Sequence, residues 1–154
     1  MPSPERKSIR LPAALYASPG QHFSITIGTH QRQPFFRERR VAECVFRLAR
    51  DGALQKEAEL NALCLMPDHL HLLIAPMQVS LIKLLDRWKS YTTTVARKDL
   101  GIPKLWQRSF YDHALRADEE RAVVARYILE NPVRAGLVKY RREYPYSWCR
   151  WACE

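Results

Sequence analysis

Long apolar runs are missing from this chain of 154 residues. No stretch approaches the ~20 residues that cross a bilayer, so no membrane association is expected. The opening segment, MPSPERKSIRLPAALYASPG, lacks the extended apolar core of a secretion signal. It reads as a partly ordered leader over residues 1–19, before a single domain over residues 20–154. A cytoplasmic, nucleoid-associated location is the matching expectation. Paired cysteines are also missing. Cys44, Cys64, Cys149 and Cys153 form no CxxC, and no histidine lies close in sequence to the last two, so free thiols are expected rather than a disulfide or a zinc knot. Acidic residues are comparatively few. With 16 Asp and Glu against 25 Lys and Arg, the formal charge is +9. That excess favours an anionic partner, with nucleic acid the leading candidate. Repeats and linkers that would divide the chain are absent as well.

What is present reads as a mixed fold. HFSITIGTH (22–30) alternates and is β-branched, which predicts a strand. Val41, Val45 and Leu48 recur at helical spacing before Asp51-Gly52 ends that helix. KEAELNALCLM and HLHLLIAP are strands on either side of a Pro67-Asp68 turn, and so form a hairpin. Ser80 is a candidate cap for a long helix reaching about Asp99. SFYDHALRA (109–117) predicts a fourth strand, Asp118 a cap for a helix to about Glu130, and Pro132 its stop. The aromatic tail YPYSWCRWACE is expected to pack back on the body. The fold class is α+β: a ferredoxin-like βαββαβ antiparallel sheet with helices on one face, followed by an extra C-terminal helix.

Two histidines stand out in the hairpin's second strand. Side chains alternate along a strand, so His69 and His71 share one face while Leu70, Leu72 and Ile74 share the other. The leucine face suits packing under the crossover helices. The histidine Cα atoms would lie about 6.6 Å apart, close enough for two imidazoles to converge on one metal ion. The alternative is a pair of half-exposed strand histidines. In the last helix, Val123, Tyr127 and Asn131 form a stripe at four-residue spacing beside the Val124–Ile128 core stripe. Tyr127 could merely pack its ring and Asn131 merely cap the helix end. Read together with the histidines, Asn131 could add an amide oxygen as third ligand and Tyr127 a nucleophile for a phosphate polarised by the metal.

The HLH after LMPD, then LWQRSFYDHALR, then YILENPVRAGLV occur in an order and spacing that resemble the single-tyrosine transposases of the HUH endonuclease superfamily. Bacterial REP-associated tyrosine transposases are the most similar group. The resemblance spans roughly residues 20 to 150. It implies that His69 and His71 are metal ligands, that Tyr127 is the nucleophile and that Asn131 completes the site. It also implies Mg2+ or Mn2+ as cofactor, although imidazole pairs also suit Zn, Ni or Co. The implied reaction is cleavage of single-stranded DNA through a 5′-phosphotyrosine, with rejoining by a free 3′-OH. The partner would be single-stranded or hairpin DNA, and the assembly a monomer or homodimer.

Arg87, Lys89, Arg108, Arg116, Arg134, Arg141 and Arg142 are the candidate DNA contacts. Asp112 is a candidate to orient a ligand histidine, with a structural polar role beside His113 as the alternative. Tyr91 and Tyr111 are rival phenols without an asparagine four residues on. Gln107 and Trp106 could read a base or brace the strand. Two readings compete with the enzyme: a non-catalytic DNA-hairpin binding protein, and an RNA-binding domain of RRM type. The second fits the histidines poorly, because RRM strands present Phe or Tyr there.

Overall fold

The computed structural model describes residues 11–151. In chain order the elements are α1 (Ala13–Tyr16), β1 (Phe23–Gly28), α2 (Arg39–Asp51), α3 (Ala53–Lys56), β2 (Ala58–Met66), β3 (His69–Pro76), α4 (Leu81–Asp99), β4 (Tyr111–Ala114), α5 (Arg121–Leu129), α6 (Asn131–Arg134) and β5 (Ser147–Cys149). The sheet order is β4-β1-β3-β2-β5, and every neighbouring pair is antiparallel. Without β5 this is the ferredoxin-like arrangement, with α2 and α4 as the two crossovers.

The alternation of β3 divides the core. Leu70, Leu72 and Ile74 join β1's Phe23, Ile25 and Ile27 and the apolar stripes of α2 and α4 in the larger cluster. Leu73 faces the other way and joins Ala62, Cys64, Met66, Ala125 and Ile128 in a smaller cluster under α5. Strand β2 serves both faces through a bulge at Asn61, which shifts the register between Leu60 and Ala62. Leu60, Leu63 and Leu65 therefore all reach the larger cluster, although 60 and 63 are an odd number of residues apart.

The hairpin between β2 and β3 has a two-residue loop, Pro67-Asp68. Two-residue hairpins favour turns with positive φ, which proline cannot adopt and which Asp68 does not adopt here. Outside contacts hold the turn instead. Thr29 donates its N–H to the Asp68 carbonyl at 2.9 Å, and Phe36 donates its N–H to the Pro67 carbonyl at 3.0 Å.

Several local expectations change. Asp118 caps nothing; α5 begins after Glu120, and the Glu119 carboxylate instead accepts the Arg116 N–H at 2.9 Å. Asn131 does not leave helical structure: Glu130 stays in the right-handed region and α6 starts at once, with Pro132 in its first turn, where a missing N–H costs nothing. Residues 1–10 of the expected leader lie outside the described residues. Of its remainder, Tyr16 is fully buried, stacks on Phe23 at 5.3 Å between ring centres and donates its hydroxyl to Asp112. The tail does return to the body, as β5 on the edge of β2. Cys149 is disulfide-bonded, which corrects the expectation of free thiols, while Cys44 and Cys64 are free. Among the described residues no helix is long and apolar enough to cross a membrane.

Candidate active site

Pairing register builds the site from the sheet upward. His71 lies opposite Thr26 of β1 and opposite Cys64 of β2. His69 lies opposite Gly28 and Met66. Both imidazoles therefore stand on the face that α5 partly covers, and the apolar crossover layer fills the other.

The two rings are perpendicular, and their Nε2 atoms are 2.9 Å apart. Each far nitrogen is occupied. His69 Nδ1 is 2.6 Å from an Asp68 carboxylate oxygen, and His71 Nδ1 is 3.0 Å from the Thr26 hydroxyl. A carboxylate only accepts, so Asp68 takes the Nδ1–H of His69 and leaves a lone pair on its Nε2. When Thr26 donates to His71 Nδ1, His71 Nε2–H donates to His69 Nε2; when Thr26 accepts, two Nε2 lone pairs face each other and can hold a cation between them. Two imidazole donors whose Nε2 atoms meet in this way could together hold a divalent ion. Partial burial disfavours the charged form of both rings, as suits metal ligands. It lowers the His69 pKa despite Asp68, and with help from His69, Arg134 and Arg32 it takes His71 down to about 3. The residues present thus fit a divalent metal.

A second group lies at the junction of α5 and α6. Ala125 and Ile128 point inward, so Val123 and Tyr127 point out, and Tyr127 is 65% exposed. The Arg134 guanidinium lies 3.8 Å above the Tyr127 ring centre. It donates to the Tyr127 carbonyl at 2.7 Å and to Asn131 Oδ1 at 2.8 Å. Phenol, amide and cation are thereby fixed as one unit, with a lone pair remaining on the amide oxygen. Among the described residues no hydrogen bond or ring contact joins this unit to the histidines. The charge of Arg134 nevertheless acts on His71. Among the described residues no group of three His, Cys, Asp or Glu side chains is placed to hold a metal ion, so a third donor would have to come from another type, such as the Asn131 amide.

Arg32 is a neighbour that sequence reasoning missed. Gln31 and Arg32 have φ of 52° and 54°, conformations that non-glycine residues rarely adopt. This backbone turns Arg32 back over the sheet, with Nε 3.4 Å from Asp68 Oδ2. Arg32 and Gln107 fill the space above Gly28, where an added Cβ would come within 2.9 Å of Arg32 Nη1 and 3.0 Å of Gln107. Gly28 is bare because these two side chains cross it beside His69.

The other candidates are scattered. Lys89 is buried, and its ammonium donates to the Gln107 and Ser109 carbonyls at 2.7 and 3.2 Å, bracing the loop that carries Gln107. Arg87 pairs with Glu57 at 2.8 Å on the crossover-helix side. Arg116 pairs with Asp118 and Glu119, Arg108 borders a cleft with Gln107, and Arg141 and Arg142 line a cavity with Tyr140 and Trp148. Asp112 does not orient a histidine. It lies opposite Ile25, on the other face of the sheet, and holds Tyr16; Asp68 has the orienting role. Trp106 braces, donating its indole N–H to Thr92 at 2.8 Å.

Comparison with known proteins gives a consistent picture. The model of the family described as "Transposase IS200 like" matches residues 18–131. The chain is 29% identical over 89 residues to a REP-associated tyrosine transposase of Escherichia coli K12, covering 58% of this chain and 53% of that one. It is 30% identical over 102 residues to a Haemophilus influenzae protein provisionally named the same way, covering 58% of this chain and 57% of that one. The chain thus spans little more than half the length of these curated relatives. In fold it resembles the solved structure of a REP-associated tyrosine transposase bound to a REP hairpin, with a TM-score of 0.65 and 23% identity over 86% of this chain and 78% of the other.

Proposed function

The chain belongs to the IS200-like transposase family, and from that premise we propose that it is a metal-dependent enzyme that cuts and rejoins single-stranded DNA through Tyr127. The observation that carries this reading is the convergence of the His69 and His71 Nε2 atoms at 2.9 Å, with both outer nitrogens held by other groups. A half-buried pair of imidazoles whose Nε2 atoms meet, each ring oriented from its far side, suits a metal seat. An exposed phenol at the end of α5 and a half-buried amide at the start of α6, four residues apart, would supply the other parts.

Tyr127 Oη attacks the phosphorus of a phosphodiester. The P–O3′ bond breaks, the phenol proton is lost, and the departing O3′ takes up a proton to leave as a free 3′-OH. The 5′ side stays esterified to the tyrosine as a 5′-phosphotyrosine. Attack of a 3′-OH on that ester reverses the step and joins strands, with the bond energy conserved. His69, His71 and Asn131 would hold the divalent ion, Mg2+ or Mn2+, which when bound supplies Lewis-acid polarisation of the phosphate oxygens. Arg134 restrains the phenol plane, so less freedom is lost when Tyr127 lines up for attack.

The DNA partner is proposed to be a single strand carrying a hairpin, like the hairpin on the solved neighbour. Arg108, Arg116, Arg141 and Arg142 would follow its backbone, whereas Lys89 and Arg87 are committed to internal partners. A nucleoid-associated, cytoplasmic location follows from that partner.

The test is to incubate single-stranded hairpin DNA with the protein and Mn2+, then denature. A covalent protein–DNA adduct is expected, lost with EDTA and in Tyr127→Phe. An adduct that persists in Tyr127→Phe refutes the nucleophile. DNA binding without any adduct, indifferent to EDTA and to His69→Ala, would instead establish the non-catalytic hairpin binder.

A further inference from the structure

The histidine pair sits in an unusual charge environment for a dication. Its donors are neutral, being two imidazoles and, on the reading above, the Asn131 amide. The carboxylate in contact with the pair, Asp68, is already shared: one oxygen holds His69 Nδ1 at 2.6 Å and the other lies 3.4 Å from Arg32 Nε. Two guanidinium groups flank the seat. Arg32 crosses Gly28 directly beside His69, and Arg134 donates to Asn131 Oδ1 at 2.8 Å. A dication held by that oxygen and a cation hydrogen-bonded to the same oxygen would repel unless an anion lay between them.

We propose that Arg32 and Arg134 couple metal binding to phosphate binding, so that the free protein takes up a divalent ion weakly and the phosphodiester of single-stranded DNA makes the site bind it firmly. This inference rests on the assignment of His69, His71 and Asn131 as ligands. The phosphate completes the charge balance that the neutral donors leave open, and the two arginines are the groups it satisfies. Coupling of this kind is reciprocal: metal must raise the affinity for the DNA by the same factor. The device has a chemical use, because a site loaded only with its substrate present holds no exposed Lewis acid in between. The strained backbone at Gln31 and Arg32 also acquires a reason, since it places a cation that works against the metal alone and with the metal–phosphate pair.

The test is Mn2+ titration followed by electron paramagnetic resonance, on Tyr127→Phe protein so that no strand is cut. It is run with and without a saturating single-stranded oligonucleotide. The same titration of protein that also carries His69→Ala and His71→Ala measures ions bound by the DNA itself. The histidine-dependent Kd is expected to fall at least about tenfold when DNA is present. Arg32→Gln should tighten Mn2+ binding by free protein several-fold and shrink the gain from DNA, and Arg32→Lys should restore both. Arg134→Gln against Arg134→Lys should show the same pattern. A histidine-dependent Kd that DNA leaves unchanged overturns the coupling alone, as does weaker Mn2+ binding in free Arg32→Gln. Absence of any histidine-dependent Mn2+ site removes the metal reading and the coupling with it. Because chemistry is blocked throughout, a failed adduct assay would not imitate either result.

Discussion

The two sides of β3 are made to different rules. Leu70, Leu72 and Ile74 are fully buried against the crossover helices, and any side chains of matching volume and shape would serve them. His69 and His71 alternate with them, yet each depends on one particular atom elsewhere: an Asp68 oxygen for one, the Thr26 hydroxyl for the other. One side uses non-directional burial and supplies stability. The other uses directional polar contacts, one to the preceding residue and one across the sheet, and on the proposed function supplies chemistry. The two functions share a strand and are otherwise nearly independent, which makes adjacent substitutions a direct comparison.

The largest contrast should come from His71→Ala beside Leu72→Ala. The histidine change is expected to abolish the Tyr127 adduct and histidine-dependent Mn2+ binding, with little loss of melting temperature. Leu72→Ala should lower stability by about 2–5 kcal/mol in urea titration, because a buried leucine leaves a cavity. What adduct formation remains should follow the folded fraction. If His71→Ala proves as destabilising as Leu72→Ala, the proposed division between the faces is wrong.

A smaller effect should come from Asp68→Asn. The amide can still meet His69 Nδ1, but it no longer fixes the tautomer, and partners of this kind are worth 10–100-fold in metal affinity. Mn2+ titration measures it, and an unchanged Kd would show that Asp68 serves the turn and not the metal. Smaller still is Gly28→Ala. The new Cβ would meet only the far ends of Arg32 and Gln107, so stability should shift by less than about 1 kcal/mol. Adduct formation should fall more than stability does, because both displaced side chains lie beside His69. The smallest signal is thiol labelling. Burial pushes Cys64, opposite His71, up to about 12, so iodoacetamide should modify Cys44 while Cys64 stays intact until the protein unfolds.

Where the pattern is local, the fold was legible from the chain. The alternation of HLHLLIAP put the histidines and leucines on opposite faces, and the spacing of Val41, Val45, Leu81, Leu84 and Leu85 placed the crossover helices. Tyr127 and Asn131 read as one stripe of one helix, whereas α5 ends at Leu129 and Asn131 opens α6, with Arg134 hydrogen-bonded to both. What escaped depends on tertiary registration. Thr26 becomes a partner of His71 only through the β1–β3 register. Arg32 reaches Asp68 only because two non-glycine residues take positive φ, which no residue type announces. Lys89 looked like a surface cation on an amphipathic helix, but its stem is buried and its ammonium satisfies two carbonyls of an irregular loop. The capping signal ahead of α5 misled in detail: Asp118 is of the favoured cap type, yet α5 begins after Glu120 and it is Glu119 that takes the Arg116 N–H.

The short strand β5 has a consequence of another kind. The central strands β2 and β3 have nine and eight residues, while the edge strands β4 and β5 have four and three. Left bare, the long side of β2 would offer a row of open amides and carbonyls to any other chain. Three residues cover its middle, and Arg150 extends the cover by donating its N–H to Asn61 and its Nε–H to the Leu60 carbonyl. A charged side chain thus closes what backbone pairing leaves unfinished, and with Leu65 donating its N–H to the Tyr146 carbonyl the long side of β2 is covered from Leu60 to Leu65.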